Sequence, residues 1–161
     1  MKLSIVSTLY QSGPYIREFY TRASDAAKAL MGDDYEIVLV NDGSPDDSLS
    51  IAIELSQKDA HVVVVDLSRN FGHHKAMMTG LEYAQGDLVF LIDADLEEEP
   101  ELLSAFYEKL EAFGHDVVYG VQNQRKGSWF ERNSGKLFYK IFNVLSGIEL
   151  PENLITARLM R

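Results

Sequence analysis

Two aspartates, Asp93 and Asp95, stand one residue apart directly after the apolar run "LVFLI" (88–92). Two carboxylates at that spacing can both approach one hard cation, or one can hold the cation while the other holds a sugar hydroxyl. Mg2+ and Mn2+ are commonly held by one or two carboxylates together with substrate phosphates. Without a cation the two charges repel. The plainer alternative is that one aspartate caps the following helix and the other is solvated. Further polar groups follow three other apolar runs: Tyr10 and Gln11, then Asn41, Asp42 and Gly43, then Ser68, Arg69 and Asn70. Asp42, held at a strand end, can accept from a base N–H or a ribose hydroxyl; the stretch 41–44 can also serve as a turn and helix cap. Lys75, opening a helix, can reach a phosphate or lie at the surface. His73 and His74 are adjacent in a helical entry and should point apart, which disfavours a shared metal. Gly72 is placed for a turn that glycine makes most easily.

The elements that must position these groups alternate in type. Strands are expected over "LSIVST" (3–8), "YEIVLV" (35–40), "HVVVVDL" (61–67), "DLVFLI" (87–92) and "DVVYGV" (116–121). Pro14 suits the first turn of a helix with Ile16, Phe19, Tyr20, Ala23, Ala27 and Leu30 turned inward. Ser44-Pro45 reads as the cap and first turn of a second helix, buried through Ile51, Ala52 and Leu55. A third helix is expected over about 75–85. Pro100 opens a fourth, with Leu102, Leu103, Phe106, Tyr107, Leu110 and Phe113 on one face, ended by Gly114. Glu99 and Glu101 flank Pro100 where negative charge favours a helix start. Continuous apolar strands in β-α alternation predict an α/β fold: a Rossmann-like, mostly parallel sheet with helices on both faces. Ligands of such sheets bind outside the carboxyl ends of the strands. The four polar groups therefore converge on one crevice.

Composition narrows the function. The chain has 161 residues, 46 % of them hydrophobic, which suits a single domain (1–161) with a real core. A net charge of −10 argues against nucleic-acid binding. Cysteine is absent, so disulfides and thiolate metal sites are excluded, which fits a reducing, cytoplasmic setting. No apolar run is long enough to cross a membrane, and the N-terminus passes directly into a strand without a leader. Residues 93–111 hold eight acidic side chains and one Lys, whereas 125–140 hold Arg125, Lys126, Arg132, Lys136 and Lys140 against Glu131. Local positive charge on an acidic protein suits an anionic ligand or surface; it equally suits a solvated face. Over 129–145, aromatic and aliphatic residues alternate at helical spacing with Arg132, Lys136 and Lys140. That pattern fits an ordinary packing helix or one lying on a membrane surface. The ending "RLMR" has no capping or turn residues, so a continuation of the natural chain is expected. No GxGxxG, GxxxxGK[ST] or GxSxG pattern offers a competing site.

With these residues in place, the chain resembles the family 2 glycosyltransferases of GT-A fold. Within them it resembles the dolichol-phosphate-mannose-synthase-like bacterial branch that acts on polyprenyl phosphate. The resemblance rests on "VNDGSPDDS" (40–48), "LSRNFGHHKAMMTGLEYAQGD" (67–87), "DADLEEEPELL" (93–103) and "VVYGVQNQRKGS" (117–128). It implies that Thr8, Leu9, Tyr10 and Gln11 frame the nucleotide base and ribose, and that Asp42 reads the base. Asn70 and Lys75 line the nucleotide-sugar pocket. Asp93, Ala94 and Asp95 form the DxD motif, with Asp95 the direct ligand of Mg2+ or Mn2+. Arg125 and Arg158 steady the acceptor phosphate, near Ser128. The chain departs from the family at Gln11-Ser12 (usually Asn-Glu), at Gln122 (usually Arg) and at Thr156, where the family has an aspartate suspected as base.

The resemblance thus implies an inverting hexosyltransferase of cell-envelope polysaccharide assembly, cytoplasmic and associated with the inner membrane face. It would move a sugar from a nucleotide diphosphate sugar, UDP-sugar favoured, to polyprenyl phosphate. Alternatives are transfer to a saccharide hydroxyl, a nucleotide-sugar-binding module without turnover, or a Mg2+-dependent nucleotidyl- or phosphotransferase. A homo-oligomer is compatible with all of them.

Overall fold

The structure, a computed structural model, describes residues 1–121 and 154–161. Arg125, Gln122, Ser128 and the basic–aromatic stretch 129–145 lie outside the described residues. The chain divides into two compact units, Met1–Val118 with Ala157–Arg161, and Tyr119–Thr156. The first carries the candidate site.

Strands β1 (Leu3–Leu9), β2 (Tyr35–Asn41), β3 (Val62–Asp66) and β4 (Leu88–Leu91) pair in parallel, as the continuous apolar runs predicted. With β5 (Val117–Val121) and β6 (Leu154–Met160) they form one sheet in the order β3-β2-β1-β4-β6-β5. Strand β6 runs antiparallel to β4 and sets Arg158 opposite Leu91. The sequence suggested only an interrupted element there. Its period is that of a strand: Ala157 and Leu159 are fully buried, whereas Arg158 and Met160 are half-buried.

Register shows how the two faces are covered. Val6 lies beside Val38 and Leu91, and Ile5 beside Ile37 and Phe90. Neighbours in register share a face, and successive residues alternate. The Val6 face packs against α3 (His73–Tyr83) through Ala76, with Val40 and Val65 in the same cluster. A Cβ on Gly80 would come within 2.5 Å of Val6 Cγ1, so the missing side chain lets α3 close on the sheet. On the Ile5 face, Phe106 of α4 (Leu102–Phe113) meets Phe90 edge-on at 6.0 Å. Helix α1 (Ile16–Met31) packs beside both α4 and α2 (Ser48–Lys58).

Four local expectations change. Helix α2 starts at Ser48 rather than at Ser44-Pro45, because Asp46 takes the Ser48 N–H at 3.1 Å. Helix α3 starts at His73, two residues early, which moves His73 into the site. Phe113 is exposed at the end of α4, so the inward face ends at Leu110. Glu101 does not cap α4 with its side chain; its two oxygens take Arg22 Nε at 2.9 Å and Nη2 at 2.7 Å. Gly114 ends α4 in the left-handed region, as expected.

Candidate active site

The loops that leave the carboxyl ends of β1, β2 and β3 hold one another. Asp46 is the hub. It accepts the hydroxyls of Ser44 (2.6 Å) and Ser48 (2.5 Å) and the backbone N–H of Gly13 (3.0 Å). Burial opposes its charge, yet these hydroxyls and N–H groups hold its carboxyl well below the usual range. Ser44 Oγ in turn accepts Gln11 N–H at 2.7 Å, and Ser48 Oγ accepts Ser12 N–H at 3.0 Å. Gln11 is thereby fixed at φ 54. Ser12, standing where the family has Glu, shapes the turn by accepting Tyr10 N–H at 3.1 Å.

Asp42 and Gly43 seat the loop after β3. Asp42 is 2 % exposed, and its oxygens accept Phe71 N–H at 2.7 Å and Gly72 N–H at 3.0 Å. Gly43 sits at φ 59, and a Cβ there would lie 2.5 Å from Arg69 C and Asn70 N. Only glycine permits that crossing. Gly72, at φ 98, then turns the chain into α3.

Two adjoining cavities result. The first is lined by Thr8, Tyr10, Asp42, Asn70 and His73. The second, about 240 Å3, shares Thr8, Tyr10 and His73 and adds Ser12, Asp93, Ala94 and Asp95. The structure thus brings together Thr8, Tyr10, Asp42, Asn70 and the Asp93-Ala94-Asp95 turn. Leu9 is placed differently: its side chain is fully buried and its carbonyl accepts Asp42 N–H at 3.0 Å, so it anchors the loop. Lys75 is exposed on the first turn of α3 and lines neither cavity. Arg158 lies in β6 opposite Leu91, two residues before Asp93.

His73 is the residue that sequence reasoning missed. Its Nδ1 lies 3.1 Å from Thr8 Oγ1 and its Nε2 lies 3.6 Å from Asp93 Oδ1. The pair His73-His74 was visible as a motif; the sequence expectation that they point apart is not met, for the two rings lie 5.5 Å apart, tilted by 53°. What the sequence did not show was the earlier helix start that aims one ring at Asp93.

The chemistry of the acidic turn fits a hard cation. Asp93 is half-buried and Asp95 exposed, and among the described residues neither meets a Lys or Arg. Asp95 Oδ1 accepts Glu97 N–H at 3.0 Å, a tight turn that places Leu96 at φ 61. Among the described residues no cluster of three or more metal-ligating side chains forms. Substrate oxygens and water commonly complete the shell of a Mg2+ held by one or two carboxylates. The next glutamates do other work: Glu98 accepts Ala157 N–H at 2.8 Å, tying this turn to β6.

A mostly parallel sheet with polar loops at its carboxyl edge and an acidic turn after β4 is the architecture of the GT-A fold. Residues 4–161 match the family described as Glycosyl transferase family 2, and the chain belongs to that family. A protein of Mycobacterium tuberculosis grouped with the glycosyltransferases is 54 % identical over 160 residues, covering 99 % of this chain and 46 % of that protein. The chain spans about half the length of the curated relatives it matches. Among solved structures, S. aureus TarS 1-349 in complex with UDP-GlcNAc is 27 % identical, with the match covering 80 % of this chain and 37 % of that one, and has a TM-score of 0.61. The mannosyltransferase PcManGT from Pyrobaculum calidifontis, in complex with GDP-Man and Mn2+, shares the fold. Its TM-score is 0.68 at 18 % identity, over 99 % of this chain and 44 % of that one.

Proposed function

We propose that this chain is the donor-binding and catalytic part of an inverting glycosyltransferase. It would take a hexosyl unit from a UDP-sugar and pass it to polyprenyl phosphate in cell-envelope polysaccharide assembly. One observation carries the reading: two adjoining cavities at the carboxyl edge of the sheet, one lined by Asp42 and Asn70, the other by Asp93 and Asp95. The family membership and the UDP-GlcNAc complex of TarS support it.

In this reading Thr8, Tyr10 and Asn70 frame the nucleoside. Asp42 keeps lone pairs beyond the two N–H groups it accepts, and these face the base or ribose. Asp95 and Asp93 hold Mg2+ or Mn2+ with the diphosphate, and a bound cation supplies charge neutralisation for the leaving group. An acceptor oxygen bonds to the anomeric carbon as the bond to the diphosphate oxygen breaks, and the electron pair leaves with the nucleoside diphosphate. Arg158 steadies the acceptor phosphate, with Arg125 beyond the described residues. Thr156 stands where the family has a suspected base and cannot act as one near neutral pH. A phosphate acceptor is already anionic and needs no such base, whereas a sugar hydroxyl does. That difference favours the polyprenyl phosphate. Among the described residues no helix is long and apolar enough to cross a membrane; contact with an anionic membrane surface is assigned to 129–145.

Calorimetric titration of UDP with and without Mn2+ tests the donor site. Binding should tighten with the metal, and Asp95→Ala should remove that gain; metal-independent binding that survives this change overturns the metal assignment. Incubation of the full-length protein with UDP-sugars and polyprenyl phosphate tests transfer. Binding without turnover would leave a nucleotide-sugar-binding module.

A further inference from the structure

His73 stands where the two cavities meet, with Thr8 on one side of its ring and Asp93 on the other. The Nδ1–Thr8 Oγ1 separation of 3.1 Å is a hydrogen bond. The Nε2–Asp93 Oδ1 separation of 3.6 Å is too long for one, but it sets a ring nitrogen facing a carboxylate that meets no Lys or Arg among the described residues. A neutral imidazole carries one N–H and one lone pair, and the partner of each nitrogen decides which is which. A lone pair on Nε2 would face the negative charge of Asp93; a proton there is favoured by it. With the proton on Nε2, Nδ1 must accept, and the Thr8 hydroxyl is a donor in place to give.

We infer that Thr8, His73 and Asp93 form an ordered chain: the Thr8 hydroxyl donates to Nδ1, Nε2–H points at Asp93, and His73 is a positioning residue for that carboxylate. The backbone holds the ring in place. Asp42 clamps the N–H groups of Phe71 and Gly72, and Gly72 is the residue from which α3 departs into His73. The group facing the nucleoside cavity thereby fixes the ring that faces the carboxylate cavity. The consequence for donor binding rests on the function proposed above; the proton arrangement does not.

The experiment has two arms, both on the intact chain. The first uses neither nucleotide nor metal. Nitrogen-15 NMR of the imidazoles at alkaline pH, with His73 assigned by the signal lost in His73→Gln, should show the Nε2–H tautomer. Thr8→Val and Asp93→Ala should each raise the Nδ1–H fraction. An Nδ1–H tautomer in the wild type, or no change in either variant, overturns the inference whatever the chain's function. The second arm titrates UDP with and without Mn2+. His73→Leu should reduce the metal-dependent gain in affinity about tenfold, the scale seen when an outer partner of a metal ligand is removed. His73→Gln, whose amide can direct an N–H at Asp93, should keep most of the gain. Equal losses in the two variants, or a loss confined to metal-free binding, count against the positioning role. If the wild type shows no metal-dependent UDP binding, the proposed function fails while the NMR arm still decides the proton arrangement.

Discussion

The two ends of the parallel sheet treat carboxylates in opposite ways. At the amino end Glu36 is 5 % exposed and accepts Lys2 Nζ at 2.7 Å, Ser4 Oγ at 2.6 Å and Gln85 N–H at 2.6 Å. Burial works against its charge, but Lys2, Ser4 and Gln85 outweigh it and lower its pKa. Ser4 Oγ also accepts Gly86 N–H at 2.8 Å, closing the turn before β4. At the carboxyl end Asp93 faces one histidine at 3.6 Å, and Asp95 takes one backbone N–H. A buried carboxylate with a full set of donors is part of the fold. Two neighbouring carboxylates with few donors are left for a ligand. Asp42 combines both conditions: it is buried and clamped like Glu36, yet it lines a cavity like Asp93.

The comparison breaks most visibly at Asp95. In Asp95→Ala the metal-dependent part of UDP affinity should fall at least about a hundredfold, because the charge that gathers cation and diphosphate is lost. The melting temperature should stay level or rise as repulsion with Asp93 is relieved. Calorimetry and a thermal melt on one sample check both; a large drop in Tm would show Asp95 to be structural.

Glu36→Ala should do the reverse. Leaving the Gln85 N–H, Ser4 and Lys2 without their acceptor should cost roughly 2–4 kcal/mol, a fall in Tm of about 5–15 °C. UDP affinity of the folded protein should be unchanged. A urea titration with a parallel binding assay separates the two readouts.

Gly43→Ala probes the join between fold and site. Strain at φ 59 and the clash with Arg69 and Asn70 should cost about 1–3 kcal/mol and shift the Asn70 loop, weakening UDP binding. Unchanged binding would show that the crossing does not set the nucleoside cavity.

The smallest effect is a pH profile. The folded pKa of Glu36 lies below its unfolded value near 4.5, so its contribution is fully present above pH 4.5 and is lost as pH falls through the folded pKa. Urea midpoints below pH 4.5 should decline less steeply in Glu36→Gln than in the wild type. Identical slopes would assign the acid sensitivity elsewhere.

The first five strands and the crevice at their carboxyl ends were legible because continuous apolar runs and the polar residues ending them are local features. Asp93-x-Asp95 was legible for the same reason. Partners far apart in sequence were not. The run "YEIVLV" shows one Glu among apolar residues, but nothing local says that Lys2, Ser4 and Gln85 will surround it. Phe113 fits the helical period, yet it lies one turn beyond the part of α4 that the sheet covers. Strand β6 was hidden because its pairing with β4 spans a long stretch of chain.

The sequence by itself determined the order of β1–β5 and α1–α4, the parallel sheet and the edge at which Tyr10, Asp42, Asn70, Asp93 and Asp95 gather. Periodicity and strand-end chemistry act over a few residues, so they survive in one dimension. Only the tertiary structure decided how those groups are engaged. Asp42 is clamped by Phe71 and Gly72, Leu9 is turned into the core, and His73 is aimed between Thr8 and Asp93. These are contacts between loops that meet only when the sheet is assembled.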